Sequence, residues 1–187
     1  VKNELRIIGG HWRGRKLHFP AAPELRPTPN RVRETLFNWL HQDLTGLSCL
    51  DLYAGSGALG FEAASRGAAH VAQVEANGEV CAALKRNCAL LDARRVEVVR
   101  MEVARFLAGP ARRYDIVFLD PPFRQGLIAP CCRQLEENGW LADDARIYLE
   151  AEAESPLEGL PANWRSLRAQ RAGEVGYHLY RRTPYRA

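Results

Sequence analysis

Two short stretches combine residue types and spacing that could do chemistry. In Leu50-Asp51-Leu52-Tyr53-Ala54-Gly55-Ser56-Gly57-Ala58-Leu59-Gly60, three glycines stand at Gly-x-Gly-x-x-Gly spacing between an apolar run and a helical pattern. Glycines there let the chain turn sharply and bring its backbone against a ligand, beside the free N–H groups of a helix start. Glu75 ends the next apolar run about 20 residues on, where a carboxylate accepts both hydroxyls of a ribose. The pair predicts an adenosine-bearing cofactor and leaves open a dinucleotide or S-adenosylmethionine. Asp51 tilts the choice toward the latter. Its carboxylate would repel a pyrophosphate, whereas it can accept from the turn's N–H groups or contact a cationic amino group.

The second stretch follows the apolar run Tyr114–Leu119 and reads Asp120-Pro121-Pro122-Phe123. Two prolines after an acid end a ladder. At the carboxyl end of a parallel strand they fix the Asp120 carboxylate and the following carbonyls as outward acceptors. Phe123 adds a ring on which a flat base can stack. The exocyclic amine of a nucleobase is a poor nucleophile because its lone pair is delocalised. Two acceptors gripping its N–H groups free that pair for in-line attack on a sulfonium methyl, so the stretch predicts amino-methyl transfer by positioning and electrostatics. Asp120, an acceptor only, suits guanine, whose N1–H and N2–H are adjacent donors. It can also accept the proton released afterwards.

The elements that must position these residues alternate along the chain. Strands are predicted at 49–53, 70–75, 96–100, 115–119 and 146–150, and helices at 59–66, 78–91, 104–107 and 126–137. Such alternation means an α/β fold, a mostly parallel sheet with helices on both faces. Upstream, 5–8 and 16–19 flank the basic, glycine-rich tip 9–15 and predict a β-hairpin, followed by a proline-rich connector over 20–27. Thr28 then reads as the N-cap of a helix with Pro29 in its first turn, running to near Gly46. Downstream, 164–171 and 174–182 read as an antiparallel hairpin that finishes the sheet.

Length and composition exclude other classes. With 187 residues, 47% hydrophobic and 26% charged, the chain suits one globular unit with a small appendage. Its longest apolar run, Val80-Cys81-Ala82-Ala83-Leu84, is far short of the roughly 20 residues of a membrane span. No secretory signal opens it, which predicts a cytoplasmic protein with no membrane contact. None of the five cysteines stand at Cys-x-x-Cys spacing and the five histidines are scattered, so no metal is expected. Vicinal Cys131-Cys132 reads as two small hydrophobes on a helix.

Charge is uneven. Residues 1–33 hold eight bases (Lys2, Arg6, Arg13, Arg15, Lys16, Arg26, Arg31, Arg33) against Glu4 and Glu24, although the whole chain is only +4. A basic arm on a near-neutral body is the pattern of a polyanion binder, and arginine's planar fork suits phosphate. The hairpin residues His11, Trp12, Arg13 and Arg15 would grip RNA backbone and stack on an unpaired base.

The stretch 51–60 together with Asp120-Pro121-Pro122-Phe123 resembles the class I S-adenosylmethionine-dependent amino-methyltransferases. Arg6-Ile7-Ile8-Gly9-Gly10-His11-Trp12-Arg13-Gly14-Arg15-Lys16-Leu17, followed by Leu25-Arg26-Pro27-Thr28-Pro29-Asn30-Arg31-Val32-Arg33-Glu34-Thr35-Leu36-Phe37-Asn38-Trp39-Leu40, closely resembles the RsmD family, bacterial 16S rRNA guanine-N2 methyltransferases. The resemblance is specific up to about Gln125 and loose beyond Glu150. It implies a Rossmann-like seven-stranded sheet, with residues 1–27 an RNA-binding extension and 28–187 the methyltransferase domain. The implied donor is S-adenosylmethionine. The implied partner is 16S rRNA in the small ribosomal subunit or an assembly intermediate, with guanine-966 the family's target and the enzyme a monomer. Asp120, Pro121, Pro122 and Phe123 are then catalytic. Asp51, Tyr53, Ala54, Gly55, Gly57, Glu75 and Ala76 bind the cofactor, Glu102 and Val103 its adenine, and Thr28 and Arg31 close over it. Arg6, Lys16 and Arg33 join the hairpin residues on RNA. Asn30 and Glu102 stand where the family usually has aspartate, and both keep an acceptor. Other readings are an amino-methyltransferase of DNA adenine or a protein glutamine amide, a nicotinamide oxidoreductase, and a ribosome-assembly binder.

Overall fold

A computed structural model describes residues 3–22, 25 and 28–184. Lys2, Glu24 and Arg26 of the basic segment, and Pro23 and Pro27 of the connector, lie outside the described residues. One seven-stranded sheet dominates. Strands β3 (Ser48–Leu52), β4 (His70–Glu75), β5 (Val96–Arg100), β6 (Tyr114–Leu119), β7 (Leu141–Glu152), β8 (Trp164–Ala172) and β9 (Val175–Arg182) lie in the order β5-β4-β3-β6-β7-β9-β8. Neighbours from β5 to β7 are parallel, and β9 and β8 add an antiparallel edge.

Side chains alternate across the strands, and both faces are covered. Leu50, Leu52, Val117, Leu119 and Ile147 pack with Val103 and Leu107 of α4 (Val103–Ala108) and Cys131, Cys132 and Leu135 of α5 (Ile128–Glu137). Burial pushes the Cys131 thiol up to about 12, so the vicinal cysteines serve packing. Cys49, Ile116, Phe118 and Tyr148 point the other way, under Leu36, Phe37 and Leu40 of α1 (Asn30–Trp39) and Leu59 of α2 (Ala58–Ser65). By the same alternation, Asp51, Asp120 and Glu150 belong to the α1–α2 face.

Two elements depart from the sequence expectation. Helix α1 stops at Trp39, not near Gly46, because His41 and Gln42 follow at φ 64° and 63°. Thr28 does not cap it. Pro29 holds the cap position, and the Thr28 hydroxyl donates to Glu150 instead. Strand β7 starts at Leu141, earlier than its apolar pattern implies, since Leu141 pairs with Tyr114 across a register shift.

The N-terminal segment is not a free arm. Strands β1 (Glu4–Arg6) and β2 (Lys16–His18) pair with Leu5 opposite Leu17. Leu5, Ile7, Leu17 and Phe19 share a core with Phe61 of α2 and with Val80, Leu84 and Leu91 of α3 (Gly78–Leu91). A buried polar clamp fixes the chain that follows β1. The Glu62 carboxylate, 0% exposed, accepts from the N–H of Ile8 (3.0 Å) and Gly9 (2.9 Å) and from Arg66 Nε (3.1 Å) and Nη2 (2.9 Å). Arg33 Nη1 lies 3.6 Å from it. Ser65 adds three bonds: its Oγ accepts from Trp12 N–H (2.9 Å) and donates to Gly9 O (2.6 Å), and its carbonyl accepts from His11 N–H (2.7 Å). Gly10, at φ +77°, sits where a Cβ would lie 1.9 Å from Ser65 O, so only glycine fits.

Replacing Glu62 by alanine strands the guanidinium of Arg33, which is 1% exposed, without its counter-charge. The expected loss is about 3–5 kcal/mol in urea unfolding, with hydrogen-exchange protection of the Ile8 and Gly9 amides lost ahead of the sheet.

Candidate active site

Three features build the first crevice at the carboxyl end of β3. Tyr53 (φ 58°), Gly55 (φ 56°) and Gly57 (φ 80°) all take left-handed backbone, and Gly57 caps α2. A Cβ on Gly57 would lie 2.6 Å from the Phe61 ring, and one on Gly55 2.8 Å from Leu25. Gly57 therefore has no room for a side chain, and the left-handed backbone strains one at Gly55. Glu75, ending β4, accepts from Gly55 N–H (3.1 Å) and Asn77 N–H (2.8 Å). Both oxygens are thus oriented, each with a lone pair to spare. Asp51 is 3% exposed and its Oδ2 accepts from Gly60 N–H at 3.0 Å. Of the two roles open to it, the geometry fills the bracing of the turn. Burial pushes its carboxyl well above the usual range, opposed by the Gly60 bond. Ala54 N–H donates to Val74 O, which ties the turn to β4. Ala76 and Glu102 are exposed beyond the ends of β4 and β5, and Val103 is buried.

The second group lies on the neighbouring strands. Leu119 of β6 pairs with Leu149 of β7, so Asp120 and Glu150 follow side by side. Their carboxyls are close enough for each to shift the other's pKa. Glu150 Oε1 also accepts from the hydroxyls of Tyr148 (2.8 Å) and Thr28 (3.0 Å). Two carboxylates this close cannot both ionise, so the pair holds one proton. Burial first, then Glu150's charge, drive the Asp120 carboxyl well above the usual range. Burial raises Glu150 too, but the two hydroxyls that donate to it oppose this. The pair therefore shares its proton between Asp120 and Glu150. Pro121 is buried, while Phe123, 39% exposed, faces solvent. Glu152 accepts from Arg124 N–H at 2.5 Å and fastens this loop to β7. The sequence reading missed Glu150 as a site residue. Its signal was the one used for Glu75, an acid ending an apolar strand.

Other expected site residues go elsewhere. Arg31 does not join the β3 turn; it lines a cavity three strands away, beside Tyr177 of β9. Arg33, expected on RNA, is buried and donates to Thr28 O (3.2 Å) and to Asn30 Oδ1, because α1 turns it inward to Glu62. Arg6, His11, Arg13, Arg15 and Lys16 are exposed. Arg15 donates to Leu90 O (3.2 Å) and Lys16 lies 3.6 Å from Glu4. Trp12 is half-buried against the hairpin core, which leaves it little free face. The tip meets α2 at Ser65, a helix length of ~12 Å from the Gly57 turn.

A family model described as "Conserved hypothetical protein 95" matches residues 5–181. The chain belongs to this family, the RsmD family. It is 51% identical over 179 residues to ribosomal RNA small subunit methyltransferase D of Escherichia coli, covering 96% of this chain and 90% of that one. The namesake from Haemophilus influenzae is 45% identical over 184 residues, covering 96% and 95%. Among solved structures, a putative methyltransferase from Escherichia coli superposes with a TM-score of 0.88 at 49% identity, covering 98% of this chain and all of that one. The RsmD family chain thus has the Rossmann-like methyltransferase fold that its sequence pattern predicts. Among the described residues, no helix is long and apolar enough to cross a membrane, and no group of three His, Cys, Asp or Glu is placed to hold a metal.

A carboxyl with a raised folded pKa contributes stability that is complete below the ordinary carboxylate value and fades as pH rises through the raised one. In Glu150→Gln, Asp120 loses its neighbouring charge, its pKa falls, and the fade begins at lower pH. A 13C titration of aspartate side-chain carboxyls is expected to show two high-pKa resonances in the parent, Asp51 and Asp120, of which that of Asp120 moves down further in the variant.

Proposed function

We propose that this protein is an S-adenosylmethionine-dependent rRNA methyltransferase that modifies the exocyclic N2 of a guanine in 16S rRNA, guanine-966 by family resemblance. The observation that carries the reading is adjacency: β3, with its glycine turn, neighbours β6, with Asp120 and Phe123. A donor crevice and an amine-gripping loop therefore open side by side. The names of the relatives, rRNA small subunit methyltransferases, support the same conclusion.

The crevice fits the cofactor. Gly55 and Gly57 let the backbone take its left-handed turn at the crevice, Glu75 offers oriented acceptors to a ribose diol, and Glu102 offers an acceptor to an adenine amine. When bound, S-adenosylmethionine supplies an electrophilic methyl on a sulfonium. The chain's own residues do the rest. Phe123 stacks the base, and Asp120 with the carbonyls of the proline segment accepts its N–H donors. To take N1–H and N2–H together, Asp120 must be a carboxylate. Glu150 makes this possible, because the shared proton shifts to it while the pair keeps the same net charge. Holding that charge constant in a buried site avoids the cost of ionising a second carboxyl. After transfer, the proton leaving N2 passes to the anionic oxygen facing it on Asp120.

Asp120→Ala is expected to lower kcat for methyl transfer onto small subunits lacking the modification by about 10²–10³-fold and leave the cofactor Kd unchanged. Nucleoside mass analysis of the product must show N2-methylguanosine; methyladenosine, or no product from the parent enzyme, overturns the reading. Glu75→Ala is expected to weaken cofactor binding about 10–100-fold in calorimetry, the loss of a charged hydrogen-bond acceptor. For the hairpin, Arg13→Ala with Arg15→Ala is expected to reduce the slope of log K against log salt for rRNA by about 1–2. An unchanged slope makes the hairpin purely structural.

A further inference from the structure

The antiparallel pair β8–β9 takes no part in the chemistry above, yet residues 164–182 carry Arg165, Arg168, Arg171, Arg181 and Arg182 against the single acid Glu174. Arg181 and Arg182 are committed to Asp144, Asp143 and Glu136. Arg165 and Arg168 form no ion pair among the described residues, and Arg171 meets only the exposed Glu154. The outer edge of the sheet is therefore a basic surface, one that counting charges from the N-terminus overlooked.

This surface reaches the catalytic end. Glu150 pairs with Tyr177 and Glu152 with Val175, so the β8–β9 turn stands at the same end of the sheet as Asp120. There α1 and β8–β9 enclose a cavity of about 230 Å3. Its floor is the buried Leu36, Tyr148 and Tyr177, the half-buried Trp39 forms a wall, and the exposed Arg31, Gln170 and Arg171 stand at the rim. That volume equals roughly eight waters, room for one base without its sugar. Gln170 and Asp120 are separated by three strand spacings, ~14 Å, so both can engage one RNA segment. Extruding a base from a folded RNA also requires a hold on its neighbours.

We propose that this cavity receives the base of a nucleotide flanking the target in the same RNA, with Arg31 and Arg171 on its phosphates and Gln170 on its edge. The inference rests on the rRNA-methyltransferase reading. The half-buried Trp39 ring beside an arginine rim matches the two halves of a nucleotide, and the guanidinium fork suits phosphate. Glu154 is exposed and its bond to Arg171 is solvent-screened, so a phosphate can replace it.

Two substitutions at exposed positions test it, Arg171→Glu against the phosphate and Ala172→Trp to fill the cavity. Each should raise KM for small subunits at least tenfold and weaken binding to protein-free 16S rRNA by a similar factor. The kcat at saturation and the Kd for S-adenosylmethionine should stay within twofold, which also shows the variants are folded. Parental kinetics in both variants, while the parent enzyme methylates rRNA, overturns the cavity and leaves the function standing. An effect in Arg171→Glu alone reduces the site to diffuse charge and overturns it. An effect on subunits that is absent with protein-free rRNA assigns the cavity to a ribosomal protein and overturns it as well. If the parent itself methylates no rRNA, the underlying function fails first, and visibly so.

Discussion

The register of three parallel strands decides where this protein can do chemistry. Cys49 and Leu50 of β3 pair with Ile116 and Val117 of β6, and Ile116 and Val117 pair with Arg146 and Ile147 of β7. Side chains alternate with period two, so this alignment sends Asp51, Asp120 and Glu150 to one face at one end. A one-residue slip in β7 would turn Glu150 toward α4 and α5 and leave Asp120 without its partner. The buried pair that results shares a proton, held by Tyr148 and Thr28. It is an expensive arrangement in a low-dielectric site, offset in part by the two hydroxyls that donate to Glu150.

A second buried charge organises the opposite end of the same helix layer. Glu62 collects Arg33, Arg66 and two backbone amides of the segment after β1, so the N-terminal hairpin becomes a wall of the domain. The two clamps communicate through a few residues. Arg33 touches both Glu62 and the carbonyl of Thr28, whose hydroxyl reaches Glu150. The segment around Thr28 thereby links hairpin anchorage to the Asp120–Glu150 pair.

Much of this was legible in the chain. Gly55, Gly57 and Glu75 announced their turn by spacing, and Asp120-Pro121-Pro122-Phe123 announced an abrupt strand end. Each is a local signal, since the residues that make the feature are close in sequence. The early end of α1 at Trp39 is a local misreading, set by the left-handed His41 and Gln42, but the misread side-chain roles are non-local. Arg33 looked like a surface cation because nothing beside it in sequence reveals Glu62 across the helix layer. Gly10 is the turn glycine its place in the tip implies, but the contact with Ser65 O that also bars a larger residue could not be read there. Thr28 looked like a helix cap, yet its hydroxyl finds a carboxylate 122 residues away.

The sequence by itself determined the alternation of strands and helices, the glycine turn, the rigid acidic loop and the family, because periodicity and short-range stereochemistry are written residue by residue. Only the tertiary structure decided which charges are buried, that Asp120 shares its proton with Glu150, that Arg31 faces the C-terminal hairpin, and that the basic tip stands a helix length from the glycine turn. Burial and strand register depend on which distant segments meet, and no local pattern encodes that meeting.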